Sequence, residues 1–135
     1  MRALALLVLA GLAFVATGCG ARSSTPYTAA GTIKCLTSKG FTGVTTNPVK
    51  VGFIAGFADN GGLLATAPGG NVLTIAFAGD TTGAAQTEAA FRAHATPFYK
   101  RHMADIMESK RNAVLVWTTA PTQQQINDAM GCLGS

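Results

Sequence analysis

Apolar positions recur along this chain with two different periods, and the changes between them divide it into elements. Ala29, Ile33 and Leu36 stand at i, i+4 and i+7 within Thr28 to Lys39, the spacing of one helix face, and Gly40 follows where a left-handed residue would end a helix. Val49, Val51, Phe53, Ala55 and Phe57 instead alternate with Lys50, Gly52, Ile54, Gly56 and Ala58. That period of two predicts a strand, weakened by its two glycines. Gly62 to Ala67 and Asn71 to Ala78 are apolar runs on either side of Pro68-Gly69-Gly70, which predicts a β-hairpin.

The second half reads in the same way. Gly79-Asp80-Thr81-Thr82-Gly83 offers capping side chains for an Ala-rich helix over Ala84 to Ala95. Thr96-Pro97 then interrupts, with Pro97 suited to the first turn of a new helix and Thr96 to its cap. Tyr99, Met103 and Ile106 give that second piece an apolar face, and the pattern leaves open whether residues 84–110 form one kinked helix or two. Val114-Leu115-Val116-Trp117, inside Asn112 to Thr118, has the length and composition of a buried central strand. Pro121 opens a last helix with Ile126, Met130 and Leu133 on one face. The order is α-β-β-β-α-(α)-β-α: an α+β fold with a four-stranded, mostly antiparallel sheet and helices on one side.

Ahead of this pattern lies a segment of another kind. Met1 and Arg2 precede Ala3 to Ala16, fourteen apolar or small residues, and then Thr17, Gly18 and Cys19. A basic start, an apolar stretch and small residues make a signal peptide over residues 1–18. A spanning helix would need about 20 apolar residues and a basic stop-transfer flank. Ala16-Thr17-Gly18-Cys19 resembles the lipobox of bacterial lipoprotein precursors, although Ala16 stands where leucine is usual and the start carries one basic residue. The resemblance implies that Cys19 carries diacylglycerol by thioether, is acylated further (palmitate or a similar chain) and becomes the mature N-terminus. Ala16-Thr17-Gly18 also suits an ordinary signal peptidase, which would leave a secreted or periplasmic soluble protein. Residues 19–27, small and polar, read as a flexible tether, and residues 28–135 as a single domain.

The cysteine count bears on the anchor. There are three, and an odd one in an exported chain needs a role. With Cys19 given to lipid, Cys35 and Cys132 remain as a pair in an oxidising compartment. Each precedes a leucine of the proposed core stripe, about 100° around its helix, so both sit at the edge of a buried face. A bond between them would enclose nearly the whole domain and contribute roughly 4 to 5 kcal/mol by loop closure. Two competing readings are a metal site drawn from Cys35, Cys132, His94 and His102, which lacks a closely spaced ligand pair, and a reactive thiol, which lacks a Cys-x-x-Cys. The Cys-Leu in the first helix and the Cys-Leu in the last resemble those of small exported bacterial proteins of unknown function, over about Ile33 to Leu133. That likeness implies no activity.

Composition narrows function further. The mature part holds about 115 residues, enough for one core and too few for two. Of the ten Lys and Arg, Arg2 belongs to the leader, leaving nine against six Asp and Glu, a net charge of +3. The densest basic stretch, Arg92 to Arg111, is interrupted by Asp105 and Glu108, so nucleic acid is not a partner this chain is built for. It offers at most a weak attraction to anionic lipid heads.

No nucleophile elbow, His-Glu-x-x-His, Walker loop or dinucleotide fingerprint occurs, and no cofactor, metal site or catalytic residue is assigned. Ala58-Asp59-Asn60-Gly61-Gly62 and Pro68-Gly69-Gly70-Asn71 have the composition of turns, with anion-holding loops as the alternative. Trp117 reads as structural, with a ligand edge as its alternative. The expected function is a membrane-tethered, noncatalytic binding or accessory domain. It would meet an envelope protein or small ligand through a sheet face or the glycine loops. The alternatives are a small secreted hydrolase or transferase built on His94, His102 and Asp105, and an envelope structural protein.

Overall fold

The computed structural model describes residues 24–134, and Cys19 and the leader lie outside them. The chain forms one α+β domain around a five-stranded, wholly antiparallel sheet. Helix α1 (Ala29–Ser38) is capped by Thr28, whose hydroxyl accepts from Gly31 N, and it buries Ala29, Thr32 and Leu36. Strand β1 (Thr42–Thr45) follows, then two single-turn helices, α2 (Pro48–Val51) and α3 (Phe53–Gly56). Strands β2 (Gly62–Thr66) and β3 (Val72–Phe77) make the expected hairpin. Helices α4 (Thr81–His94) and α5 (Pro97–Ile106) are separate, with Pro97 in the first turn of the second. Strand β4 (Met107–Lys110) turns tightly into β5 (Ala113–Trp117), and α6 (Gln123–Gly131) closes the domain behind a Thr122/Gln125 capping box.

The strands lie in the order β1-β2-β3-β5-β4. Alternation along them separates two faces. One carries Leu63, Ile75 and Leu115 side by side in register, with Ala65, Leu73 and Trp117 in the next row and Phe77 beside Ala113. Every one of these residues is buried. Leu36 of α1 and Ala129 and Leu133 near the end of α6 belong to the same core.

The other face carries Leu64, Thr74, Ala76, Val114 and Val116. There Val51 and Ala55 of α2 and α3 cluster with Ala76, while α4 holds Ser109 of β4 through Glu88 and packs Phe91 against the same side. Helices therefore cover both faces, where the sequence pattern suggested one. The reason is connective. The segment from β3 to β5 crosses the second face, while α1 and α6 occupy the first.

Two further differences from the sequence pattern have local causes. The alternating run at Val49 to Phe57 is helical: Asn47 caps α2 by accepting from Val49 N, Pro48 occupies the first turn, and Gly52 at φ 97° breaks the chain between the two turns. Of its alternate apolar residues only Val51 and Ala55 are buried, four apart as on a helix, whereas Val49, Phe53 and Phe57 face outward. α3 can lie close on the sheet because Gly62 has no side chain, since a Cβ there would come 2.1 Å from the Ala55 carbonyl oxygen. The second difference is at β4, where Met107–Lys110 extends as an edge strand beyond the helix that the pattern carried to residue 110.

The Cys35–Cys132 disulfide joins α1 to α6 across a sequence separation of 97, with an S–S distance of 2.04 Å. Lys39 and Asp128 pair at 3.5 Å between the same helices. The bond suits an exported protein, because disulfides persist in oxidising compartments. Among the described residues no helix is long and apolar enough to cross a membrane.

Residues 24–27 do not behave as tether. Asn112, 2 % exposed, accepts from Tyr27 N and donates to the carbonyls of Tyr27 and Ala78, each at 2.8 Å. Arg111 donates to the carbonyls of Ser24 and Thr25 at 2.9 and 2.7 Å and lies 4.3 Å from the Tyr27 ring centre. Arg111 is also the one non-glycine with positive φ (55°) among the described residues. Such a conformation costs a side-chain-bearing residue roughly 1 kcal/mol or more, which the docking of the N-terminal segment offsets.

Two expectations follow. Reducing the disulfide, or replacing both cysteines by alanine, should lower the unfolding free energy by roughly 4 kcal/mol, read as a shift of the urea midpoint; an unchanged midpoint would show that the closed loop is irrelevant. Arg111→Gly should relax the turn yet release residues 24–26, seen as new proteolytic cleavage before Tyr27 with little change in melting temperature. A protected segment would refute that role for Arg111.

Candidate functional site

The second sheet face is incompletely covered. α2 and α3 lie over β2 and β3, and α4 reaches β4, so the middle of the sheet between them is left as the floor of a groove. Thr74 of β3 and Val116 of β5, opposite one another in register, are only half-buried there. Val51, Ile54, Phe91 and His94 wall the central part, of about 370 Å³.

Towards the β4–β5 turn the groove widens into a second depression of about 370 Å³ between Phe53 and Phe57 on one side and Gly83, Thr87 and Ala90 on the other. Towards the opposite end it narrows into a cleft of about 210 Å³, enclosed by Tyr99, Met103, Ile106 and Trp117. Ile54 and His94 border all three parts, so they form one continuous feature.

The chemistry of this lining is mostly apolar, with polar groups at Thr74 and His94 in the centre, Asp59, Gln86 and Thr87 at the wide end and Thr118 at the narrow one. Trp117 follows Val116 in β5, and its side chain turns to the first face beside Leu73; it is 1 % exposed and its indole Nε1 is the one buried side-chain polar atom without a partner among the described residues. An unmade bond of this kind costs about 1 to 3 kcal/mol, so native structures seldom leave one without a use. A largely apolar groove with a few polar groups is the usual make-up of a small-molecule or peptide site.

The residues singled out for chemistry from the sequence are not gathered. His94 ends α4 and borders the groove. His102 and Asp105 lie one turn apart on α5 beside a separate depression with Phe98 and Thr119. Their Nδ1–Oδ2 distance is 3.8 Å and both are about half-exposed or more, so they are a solvated pair too far apart for a hydrogen bond. Among the described residues no three His, Cys, Asp or Glu side chains converge as metal ligands would.

The glycine loops spend their polar groups on the fold: Asn60 bonds Phe77 O and Ala78 O, Asp59 accepts from Gly79 N, and Asn71 joins Thr118 and Thr119. The basic stretch is likewise divided, with Lys110 donating to Met130 O and Arg111 to Ser24 and Thr25. Cys35 and Cys132 serve the disulfide.

Ile54, Thr74 and Val116 were not singled out by sequence. Only Asn47-Pro48, a cap followed by a first-turn proline, carried a signal that the run after it is helical and could wall a groove. Compared with known proteins, the chain matches no family model, no curated protein and no solved structure.

The geometry makes the groove sensitive at its floor. Val116→Lys should place an ammonium over the half-open centre of the sheet and leave the hydrophobic face beneath intact. The far-UV circular dichroism should be unchanged while binding of an apolar fluorescent probe falls several-fold; equal probe binding would mean that the groove is not an accessible apolar surface.

Proposed function

We propose that this protein is an exported lipoprotein, held at the outer face of a cell membrane through Cys19, whose domain is a noncatalytic binding module with the groove between α3 and α4 as its recognition surface. The observation that supports the binding role is the open floor at Thr74 and Val116. A sheet centre is ordinarily the best-buried part of a domain, and here its second face is left half-covered between apolar walls. The walls suit an apolar body.

Support for the anchor is independent of the groove. Ala16-Thr17-Gly18-Cys19 ends a basic-then-apolar leader, and the pairing of Cys35 with Cys132 leaves Cys19 as the third, odd cysteine. A diacyl or triacyl cysteine anchors stably without a polybasic patch, since each buried CH₂ contributes about 0.8 kcal/mol.

Trp117 is the chain's single tryptophan and sits in β5 next to Val116 of the groove floor, so a change in its fluorescence is the readout of occupancy. Titration with long-chain amphiphiles and with apolar peptides should give a saturable change from one of these classes, lost in Val116→Lys; a flat response to both would end the binding reading. For the anchor, mass spectrometry of the membrane-fraction protein should find acylated Cys19, and Cys19→Ser should move the protein to the soluble fraction. A mature chain beginning at Gly20 or later without acyl groups would refute it.

A further inference from the structure

We propose that the end of the domain carrying Phe53 and Phe57 is its membrane-docking surface, with these two rings seated in the headgroup region of the bilayer that holds the lipid anchor. The inference rests on the reading of Cys19 as the lipid-bearing residue, and adds to it a fixed orientation.

The argument begins with the length of the leash. Because Asn112 and Arg111 clasp Ser24 to Tyr27, the domain starts at Ser24 and not at Thr28. Only residues 19–23 separate it from the anchor, and five residues span at most roughly 17 Å even when fully extended. A domain of this size has a radius of gyration near 13 Å, hence a diameter of roughly 35 Å. The leash is shorter than the body it holds. The surface around Ser24 therefore stays close to the bilayer, and the opposite end of the sheet cannot reach it.

What lies around Ser24 follows from the register. Ser24 and Pro26 border a shallow depression with Gly79, Asp80, Arg111 and Asn112, at the end of the sheet where β3 and β4 finish and β5 begins. Asp59 accepts from Gly79 N at 3.2 Å, so the turn that follows α3 belongs to the same end. Phe57 lies two residues before Asp59, and both border the wide mouth of the groove.

Phe53 and Phe57 are 82 % and 72 % exposed, with ring centres 5.4 Å apart. Exposed aromatic pairs are uncommon on a surface bathed only in water, and aromatic rings favour the membrane–water boundary. Charge does not decide the orientation, since Lys110 and Arg111 are offset there by Asp59 and Asp80. In this pose the wide mouth of the groove opens towards the leaflet, while the Pro68–Gly70 turn and the start of α6, joined by Gln125 to Pro68 O, point away.

The test uses the acylated protein in phosphatidylglycerol–phosphatidylethanolamine vesicles doped with a lipid bearing a nitroxide on a shallow acyl carbon. Two variants each add one tryptophan on the surface: Phe57→Trp at the docking end and Gln124→Trp at the far end, with buried Trp117 as the common background. The nitroxide should remove most of the added emission of Phe57→Trp and leave Gln124→Trp and the native protein unchanged. Three results would overturn the proposal. Phe57→Trp unquenched, with acylated Cys19 and the protein sedimenting with vesicles, would refute the docking and leave the anchor standing. Equal quenching of both variants would mean an unoriented domain. A Cys19 without acyl chains, in protein that stays in the supernatant, would remove the anchor reading and the docking with it.

Discussion

β5 lies between β3 and β4, and its pairing with β3 is the contact on which the other layers depend. Ala113 to Trp117 bond to Phe77 through Leu73, joining residues 36 to 44 positions apart in the chain. That pairing sets Leu115 beside Ile75 and Leu63, a fully buried row at the centre of the first face. Closing so long a loop is unfavourable until the row forms, and the burial of three large aliphatic side chains, about 1.5 to 3 kcal/mol each, is what favours closure. Once β5 is beside β3, the segment between them has one place to go, across the second face. α4 and α5 lie there for that reason, and the groove is the space they leave next to α3.

The first face is closed by the first and last helices. α1 enters and α6 leaves over the same hydrophobic layer, and the disulfide with the Lys39–Asp128 pair holds them side by side. At one end of the sheet Asn112 binds the incoming chain at Tyr27 through two bonds and Ala78 through a third, and Arg111 holds the residues just before Tyr27. Fold stability and the start of the domain thereby meet in the same two residues. Asn112 satisfies buried backbone groups of Tyr27 and Ala78, while Arg111 shortens the reach of whatever precedes Ser24.

The two faces divide the work in the proposed function. The covered face, bridged by sulfur, provides rigidity, and the half-covered one provides a site walled by the short helices α2 and α3. Those single-turn helices expose Val49, Phe53 and Phe57 because they are too short to turn more than one side inward; Val51 and Ala55 are what they can bury.

Local pattern carried much of the fold. The i, i+4, i+7 stripes at Ala29–Leu36, Tyr99–Ile106 and Ile126–Leu133 predicted α1, α5 and α6; the Pro68-Gly69-Gly70 turn predicted the hairpin; and Thr96-Pro97 marked the break between α4 and α5. The cysteine pairing was legible too, because two cysteines flanking core leucines leave few other partners. What misled was Val49 to Phe57, whose period of two arises with three of its five apolar residues on the surface, so burial there is not what the alternation records.

β1 and β4 escaped notice because an edge strand of four residues has hydrogen-bond partners on one side only and needs no apolar pattern of its own. The groove was beyond the sequence altogether. Thr74, Val116, Ile54 and His94 are far apart in the chain and unremarkable singly, and they share a site only because long-range strand pairing sets which surfaces remain open. Sequence determined the elements that depend on neighbours within a few residues; tertiary structure alone decided the faces, the clasp at Asn112 and the site, since each depends on contacts whose loop-closure cost only the completed core can meet.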